Sequence, residues 1–355
     1  MVTGLDIIDW LDFSSGVVDI QASTNNLSAL KQYYVQQLAS ADFGVDAVYF
    51  SGEFPSVYFK AVPDFQEESL QNLLAVHQKV WNQGKVPFLY AESPVEIRVY
   101  NCYAKPQKNA EKAAEIELFQ ASKQATDDLE ELKTVFDKVS IETGRFWKND
   151  LYAKKVKTET RVDKSLIESL KKTREDLRKK ELPKEIIHDL LLRSLFLLYL
   201  EDRGAADERL YEGKKNYFEV LGDKMATYEI YQKLEHHFNG NLCPVSDFEK
   251  QGVNEAHLQE IRNCFWNGGM LFYGWRFYDF KVIPIQLISE IYEHFLADEI
   301  GKKAKNDSGT FYTPLPLAEF VLNEVLPHAS PENKNYEVKI LDPTCGSGIF
   351  LVESL

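Results

Sequence analysis

The sequence has few cysteines and no long uninterrupted run of apolar residues. Its four cysteines, Cys102, Cys243, Cys264 and Cys345, are irregularly spaced and do not suggest a disulfide framework. No signal-peptide pattern and no apolar stretch of bilayer length is present. These absences predict a soluble, cytoplasmic enzyme with no membrane association, and the 355 residues suggest two or three domains.

The chain also lacks an excess of positive charge. It carries 41 basic and 55 acidic residues, a formal net charge of −14 at pH 7, which is unfavourable for binding a polyanion. A local excess lies in residues 145–184, where fourteen lysines and arginines occur among apolar residues at helical spacing. Such charges form either a solvated surface or a phosphate-contacting one, and the sequence leaves both readings open.

Residues 340–351, ILDPTCGSGIFL, contain a glycine-rich turn without the lysine of a P-loop and without the G-x-G-x-x-G spacing of dehydrogenases. The apolar residues 338–341 predict a buried parallel strand. Gly346 and Gly348 permit positive φ and close backbone approach, and the next helix directs its free N–H groups at the loop. Asp342 suits an ammonium group or a hydroxyl rather than a phosphate. The loop therefore predicts a nucleotide-like ligand other than a dinucleotide or a triphosphate.

A helix start is predicted shortly before this loop. Thr313 is a favourable N-cap and Pro314 a favourable first helical residue. Tyr312 and Thr313 should therefore lie on the turn that enters the helix.

These two motifs resemble a known family. The run DPTCGSGIFL resembles motif I, the S-adenosylmethionine loop of the amino-group (N6-adenine) DNA methyltransferases. Residues 309–314, GTFYTP, followed by Leu317, Ala318 and Val321, are similar to motif X of the same enzymes. The order of X before I resembles type I modification subunits and fused type IIG restriction enzymes. Weaker similarity upstream extends the resemblance over roughly half of the chain.

The resemblance implies transfer of a methyl group from S-adenosylmethionine to the exocyclic N6 of an adenine flipped out of double-stranded DNA. Restriction and specificity subunits are possible further partners. Cys345 would be a small residue beside the cofactor and not a nucleophile. The cofactor contacts that the resemblance implies are Thr310, Tyr312, Thr313, Asp342, Thr344, Gly346 and Gly348.

The catalytic motif of this family, (Asn/Asp/Ser)-Pro-Pro-(Tyr/Phe), does not occur in the chain. We therefore expect the sequence to be the N-terminal part of a longer enzyme, ending just after motif I and inactive alone. No catalytic residue and no metal ligand is assigned.

Three regions are expected. Residues 1–144 predict an α+β domain, residues 145–304 an all-α domain, and residues 305–355 the beginning of an α/β Rossmann-like methyltransferase domain. In the first region, helices are predicted over 27–41 and 65–82, strands over 45–51, 57–62, 87–91 and 95–103, and one or two polar helices over 108–141. In the second region, residues 185–202 predict a core helix rather than a membrane span.

The first region occupies the position where a fused restriction enzyme often carries a PD-(D/E)xK nuclease. Asp46 could be the first metal-binding acid, but Tyr58 stands where the second acid should precede Lys60. Glu53 lies between them, and Glu96 is followed at the lysine position by Arg98. Neither set is complete, so a degenerate nuclease-like or partner-docking domain is favoured over an active Mg²⁺-dependent nuclease.

Two further groups of residues, one of histidines and cysteines and one of aromatic residues, are candidate sites. The spacing of His237, Cys243, His257 and Cys264 argues against structural zinc. The aromatic residues within 266–280 predict core at a domain interface rather than a platform that stacks a flipped base.

Three alternatives to a DNA methyltransferase stay open. The chain could be a docking module for restriction-system subunits, a methyltransferase acting on small molecules or proteins, or a fused endonuclease whose cleavage depends on Asp46.

Overall fold

A computed structural model of the protein describes residues 5–40, 43–206, 208–211, 214, 216–237, 244–266, 276–285, 287–288, 313, 315–326, 339–343, 345 and 348–354. The chain divides into two compact units, Met1–Ile283 and Pro284–Leu355. The boundaries predicted from the sequence at 144/145 and 304/305 stay predictions.

The described part of the first unit contains a six-stranded mixed sheet with its strands in sequence order. The first three strands form an antiparallel meander, β3 and β4 are parallel, and β5 and β6 continue antiparallel. The strands are β1 (Val17–Asp19), β2 (Ala47–Ser51), β3 (Phe54–Ala61), β4 (Phe88–Glu92), β5 (Glu96–Asn101) and β6 (Glu117–Ser122).

Five helices of this region flank the sheet or follow it in the chain: α1 (Asp6–Trp10), α2 (Ala29–Ser40), α3 (Glu67–Gln83), α4 (Thr126–Phe136) and α5 (Lys138–Glu142). The sheet face that carries Tyr49 and Tyr90 packs on α1 and α4. The opposite face, with Tyr58 and Leu89, packs on α2 and α3. Apolar side chains are thus buried on both faces, which explains the nearly continuous apolar runs of the central strands.

Helix α3 makes the crossover between the two parallel strands. Leu73, Leu74 and His77 are buried on its inner side. It ends at Gly84, which has φ +68° and whose N–H donates to the carbonyl of Val80 at 3.1 Å. An added Cβ at this glycine would lie 2.9 Å from Cγ1 of Val162, so both the backbone conformation and the packing require glycine there.

The rest of the first unit is helical. Its helices are α6 (Val162–Lys179), α7 (Lys184–Asp202), α8 (Tyr217–Val220), α9 (Lys224–His237), α10 (Asp247–Gly252) and α11 (Glu255–Phe265). The predicted core helix over 185–202 is confirmed by α7. No helix among the described residues is both long enough and apolar enough to cross a bilayer.

Residues 276–283, here called the strap, form hydrogen bonds with both the α/β part and the helical part of the first unit. Side-chain amides of Gln78 and Asn82 on α3 donate to backbone carbonyls of the strap, the latter at 3.1 Å. On the other side, the Phe280 N–H donates to Asp202 of α7 at 2.8 Å, and the Tyr278 hydroxyl lies 3.0 Å from that of Ser169 on α6. The strap therefore connects the α/β part to the helical part.

The described residues of the second unit include two helices, α12 (Leu315–Val325) and α13 (Ile349–Glu353). They pack against each other. Ala318 and Leu322 of α12 and Ile349 of α13 are buried.

Two sequence predictions need correction. The polar region 108–141 is not one or two helices, because β6 (Glu117–Ser122) pairs with β5 between a 3₁₀ turn at Ala110–Glu115 and helix α4. The open edge of β5 supplies partners that a local helical pattern does not reveal. The buried strand predicted over 338–341 is wrong for the described residues, since Lys339–Leu341 form no strand and Leu341 is 86 % exposed.

Candidate functional site

The helix that follows motif X is present where the sequence predicts it. Helix α12 begins at Leu315, directly after the Thr313–Pro314 pair, and Thr313 is half-buried outside the helix. The predicted contacts Thr310 and Tyr312 lie outside the described residues.

The end of motif I is a tight turn that opens the next helix. The Gly348 N–H donates to the Cys345 carbonyl at 2.6 Å, and the Gly348 carbonyl accepts from the Val352 N–H at 2.9 Å. Gly348 has φ +81° and ψ +19° and occupies the N-cap of α13. A side chain at this position would strain the backbone, so the left-handed conformation explains the second glycine of the motif.

The described part of this turn is open. Cys345 and Pro343 are exposed, and Asp342 and Gly348 are half-buried. No atom lies within 4 Å of the place where a Cβ of Gly348 would project. The turn therefore leaves room for a ligand beside its backbone, as a cofactor loop requires. Thr344 and Gly346 lie outside the described residues.

Packing of α12 on α13 brings the two motifs into one structural element. Thr313 lies two residues before Leu315, where α12 begins, and Gly348 caps α13. The helices that the two motifs begin are therefore neighbours. This arrangement agrees with the expectation that motifs X and I contribute to one site, although the contacts of the individual residues with a cofactor stay predictions.

The nuclease candidates of the first unit are brought partly together. Asp46 accepts hydrogen bonds from Lys60 Nζ at 3.0 Å and from the Ala61 N–H at 2.7 Å. Tyr58, at the position where an acid would be needed, is fully buried, and its hydroxyl donates to Gln83 on α3 at 2.6 Å. Burial raises the pKa of Tyr58 well above its usual value, so the hydroxyl stays neutral and cannot replace a carboxylate as a Mg²⁺ ligand.

The remaining acids of this hypothesis are engaged elsewhere. Glu53 pairs with Lys31 at 3.5 Å, and Glu96 pairs with Arg98 at 3.1 Å. Across the described parts of the chain, no three His, Cys, Asp or Glu side chains converge as a metal site. The geometry thus supplies an ion pair at Asp46 and Lys60, which stabilises the end of β3.

The candidate zinc ligands in the described region have separate structural roles. Nδ1 of His257 accepts from the Asn254 N–H at 3.2 Å in a capping box at the start of α11. Cys264 is buried, and burial raises the pKa of its thiol to about 12. Cys243 lies outside the described residues.

The aromatic residues near position 280 are core, as predicted. Tyr278 and Phe280 are fully buried. Phe277 makes an edge contact with Trp81 of α3, with ring centroids 4.9 Å apart. Rings held in this way cannot receive a flipped base. Phe272, Tyr273 and Trp275 lie outside the described residues.

The cations of the basic segment 145–184 differ in charge pairing, and before α6 Arg145 pairs with Asp137 and Lys154 with Asp150, each at 3.1 Å. On and after α6, several of its cations meet acids of the same chain: Lys164 with Asp163, Lys179 with Asp176 and Lys180 with Glu260. Before α6, Lys148 and Lys157 are exposed and form no ion pair among the described residues. Trp147 and Leu151, which no sequence motif marks, are also exposed before α6. Their position between basic residues in the chain is the signal that could have identified them.

Comparison with known proteins gives one family match, which falls on the second unit. The N-6 DNA Methylase family matches residues 284–355, where both candidate motifs lie. No curated protein and no solved structure matches the chain. The match supports an adenine DNA methyltransferase and covers the same residues as the compact unit Pro284–Leu355.

Proposed function

We propose that this chain carries the cofactor-binding motifs of a restriction–modification DNA methyltransferase that transfers a methyl group from S-adenosylmethionine to N6 of adenine. One observation carries the proposal. The helices begun by the two cofactor motifs pack together inside a compact unit whose residues are those matched by the N-6 DNA Methylase family.

The described residues of motif I fit S-adenosylmethionine. The open space beside Gly348 lets the cofactor approach the backbone without meeting a side chain. Asp342 is half-buried and lies three residues before Cys345, the first residue of the helix-opening turn. A carboxylate there accepts hydrogen bonds from an ammonium or hydroxyl group of the cofactor. When bound, S-adenosylmethionine supplies the electrophilic methyl group.

The roles of this chain are to bind and orient that cofactor. We assign cofactor contact to Thr310, Tyr312, Thr313, Asp342, Thr344, Gly346 and Gly348. Holding the donor in a fixed position lowers the entropic part of the reaction barrier, because binding has already restricted its motion. The group that binds the adenine amino group belongs to the Pro-Pro motif, which this sequence does not contain.

Calorimetry on the full gene product tests cofactor binding. Asp342→Ala should weaken S-adenosylmethionine binding at least about tenfold, since a hydrogen bond to a charged group is lost. Asp150→Ala, which removes an exposed carboxylate from the first unit, is the matched control. Equal affinities for the wild type and both variants would show that Asp342 does not contact the cofactor.

The reaction itself is tested with S-adenosylmethionine carrying a tritiated methyl group. We expect label in N6-methyladenine of double-stranded DNA with the full-length protein. Label in protein or in a small molecule, with none in DNA, would favour another methyltransferase class.

We further propose that the first unit has no Mg²⁺-dependent nuclease activity. The lysine that a nuclease would use is paired with Asp46, and Tyr58 is buried at the position of the second acid. We propose docking of restriction or specificity subunits as one role of this unit. Cleavage of DNA that requires Mg²⁺ and is abolished by Asp46→Ala would refute this part of the proposal.

A further inference from the structure

Residues 146–157, here called the basic platform, combine four lysines with two exposed apolar side chains. Trp147 is 47 % exposed and Leu151 is 61 % exposed. The lysines are Lys148, Lys154, Lys155 and Lys157, all exposed, against a single acid, Asp150. Large apolar side chains that stay exposed among cations are a feature of interaction surfaces.

The basic platform is held rigidly although it contains only short 3₁₀ turns. Phe146, Tyr152 and Val156 are buried in the core on one face of the sheet. The Tyr152 hydroxyl donates to Glu131 at 2.6 Å, and the Asn101 side-chain amide donates to the Lys155 carbonyl at 2.9 Å. A surface fixed in this way loses little backbone entropy when it binds a partner.

Local turns place the exposed side chains near one another. The Asn149 side-chain oxygen accepts from the N–H groups of Leu151 at 3.0 Å and Tyr152 at 3.3 Å. The turn Phe146–Lys148 packs against the turn Ala153–Lys155. Trp147 and Lys148 therefore lie on a turn adjacent to the one that carries Lys154 and Lys155.

The charge of the basic platform is available to a partner. Lys148 and Lys157 form no ion pair within the described residues. Lys154 pairs with Asp150 at 3.1 Å, but both side chains are largely exposed, so this pair is easily exchanged for another. Helix α6, by contrast, has Asp163 and Asp176 beside its lysines.

The chemistry fits a nucleic acid better than a protein. Lysine is depleted at protein–protein interfaces, whereas lysine forms much of the phosphate contact in protein–DNA complexes. The chain as a whole carries −14, so it repels a polyanion except where cations cluster. Trp147 and Leu151 can pack against deoxyribose while the lysines meet phosphates.

We infer that the basic platform binds the sugar–phosphate backbone of duplex DNA outside the methyl-transfer site. The choice of DNA as the polyanion rests on the proposed function. The contact is independent of base sequence, because lysines on phosphates position a duplex without reading its bases.

Fluorescence anisotropy on the full gene product with a labelled duplex of about 25 base pairs, between about 50 and 200 mM NaCl, tests the inference. Lys148→Glu/Lys157→Glu should weaken binding at least about tenfold and reduce the slope of log affinity against log salt by about 2. Trp147→Ala should weaken binding about fivefold with little change in slope.

A control with the same change of charge is available elsewhere. Lys112 and Lys281 are exposed, and Lys112 lies in the turn packed with α3 on the opposite side of the sheet. Lys112→Glu/Lys281→Glu should change the affinity by less than about twofold, because distant charges are screened. Circular dichroism and melting curves of the lysine variants should match those of the wild type, since each replaced lysine is exposed. Trp147 also packs on Phe146 with ring centroids 5.1 Å apart, so Trp147→Ala is compared at a temperature where its melting curve shows it folded.

Three results would overturn the inference. The first is an equal loss of affinity in the platform and control variants. The second is tighter binding of a single strand than of the duplex, with dependence on Trp147. The third is unchanged DNA binding by Lys148→Glu/Lys157→Glu combined with loss of a co-purifying protein.

The inference and the proposed function can fail separately. Loss of duplex binding in Lys148→Glu/Lys157→Glu, with no methylation of adenine by the wild-type gene product, would refute the proposed methyltransferase activity. The same result would support DNA binding by the basic platform. Adenine methylation with an unchanged KM for DNA and unchanged affinity in the same variant would refute the basic platform alone.

Discussion

Arg193 on α7 and Glu249 on α10 form a bidentate ion pair in the core of the helical region. Nη1 and Nη2 of the arginine lie 2.6 and 2.8 Å from the two carboxylate oxygens, and only 3 % and 2 % of the two side chains are exposed. The Tyr228 hydroxyl donates to the same carboxylate at 3.0 Å. The pair thus joins α7, α9 and α10.

Removing one partner of this pair should cost far more than removing both. Glu249→Gln leaves the buried guanidinium with only the partly exposed Asp189, 3.8 Å away, as counter-charge and should lower the free energy of unfolding by about 3 kcal/mol. Arg193→Met/Glu249→Leu should recover most of that loss. Urea denaturation measures both variants. Asp150→Asn, at the exposed pair with Lys154, is the control and should cost less than about 1 kcal/mol. A loss below 1 kcal/mol for Glu249→Gln would contradict the buried ion pair.

His77 should make the protein less stable in mild acid. Its Nε2 lies 2.9 Å from the Asn101 carbonyl and must donate to it, while the buried Nδ1 has no hydrogen-bond partner in the described structure. Burial lowers the pKa of His77 to about 4 against an opposing effect of the Asn101 hydrogen bond. The unfolded chain therefore binds more protons between pH 6.5 and 4, so stability is fully present above pH 6.5 and declines by about 3 kcal/mol toward pH 4.

His77→Gln tests this slope, because glutamine can donate to the carbonyl but does not titrate. Urea denaturation at several pH values should show a weaker acid-dependent loss than in the wild type. His236→Gln, at an exposed position of α9, should leave the slope unchanged. Identical slopes for His77→Gln and the wild type would exclude His77 as its source.

Asp202 should act in the opposite direction over nearly the same range. Burial raises its pKa to about 6, although Arg276 and the Phe280 N–H favour the charged form. The folded state then binds more protons than the unfolded state from about pH 4 to pH 6, so this group's contribution to stability falls as pH rises and is lost above pH 6. Asp202→Asn should steepen the rise of stability with pH in this window. An unchanged or shallower rise, measured by the same denaturation series, would show that the carboxylate is charged throughout this window.

Gly348 and Gly52 form a matched pair for testing the cofactor turn. Both have positive φ, +81° and +62°, and neither has an atom within 4 Å of an added Cβ. Alanine at either position should therefore cost about 1 to 2 kcal/mol of backbone strain. Only Gly348→Ala should also weaken S-adenosylmethionine binding, which calorimetry measures. Equal cofactor affinity in both variants would place the ligand away from Gly348.

Several elements of the fold follow from local patterns. Helix α7 is rich in leucine and isoleucine, but the charged residues among its nineteen positions are too many for a membrane span. Helix α3 shows a one-sided apolar pattern and ends at a glycine. Such signals depend only on neighbours in sequence, so they are readable without the fold.

Other elements depend on partners far away in the chain. The local sequence pattern predicts β6 as part of a polar helical segment. In the structure it is a strand, because it pairs with the open edge of β5. The short β1 is added to β2 in the same way. Pairing across such distances is decided by the assembled sheet and leaves a weak local trace.

Three features are readable from the sequence alone: the order of the cofactor motifs, the glycine at position 348 and the absence of an acid two residues before Lys60. They are readable because backbone sterics and side-chain chemistry are local. Which charges are neutralised depends on the assembled fold, since Lys180 meets Glu260 of α11 at 2.6 Å while Lys148 pairs with no acid among the described residues. The tertiary structure also decided that Asp46 pairs with Lys60 and that Trp147 stays exposed while Phe146 is buried. Pairing and burial depend on residues distant in sequence, and only folding brings those together.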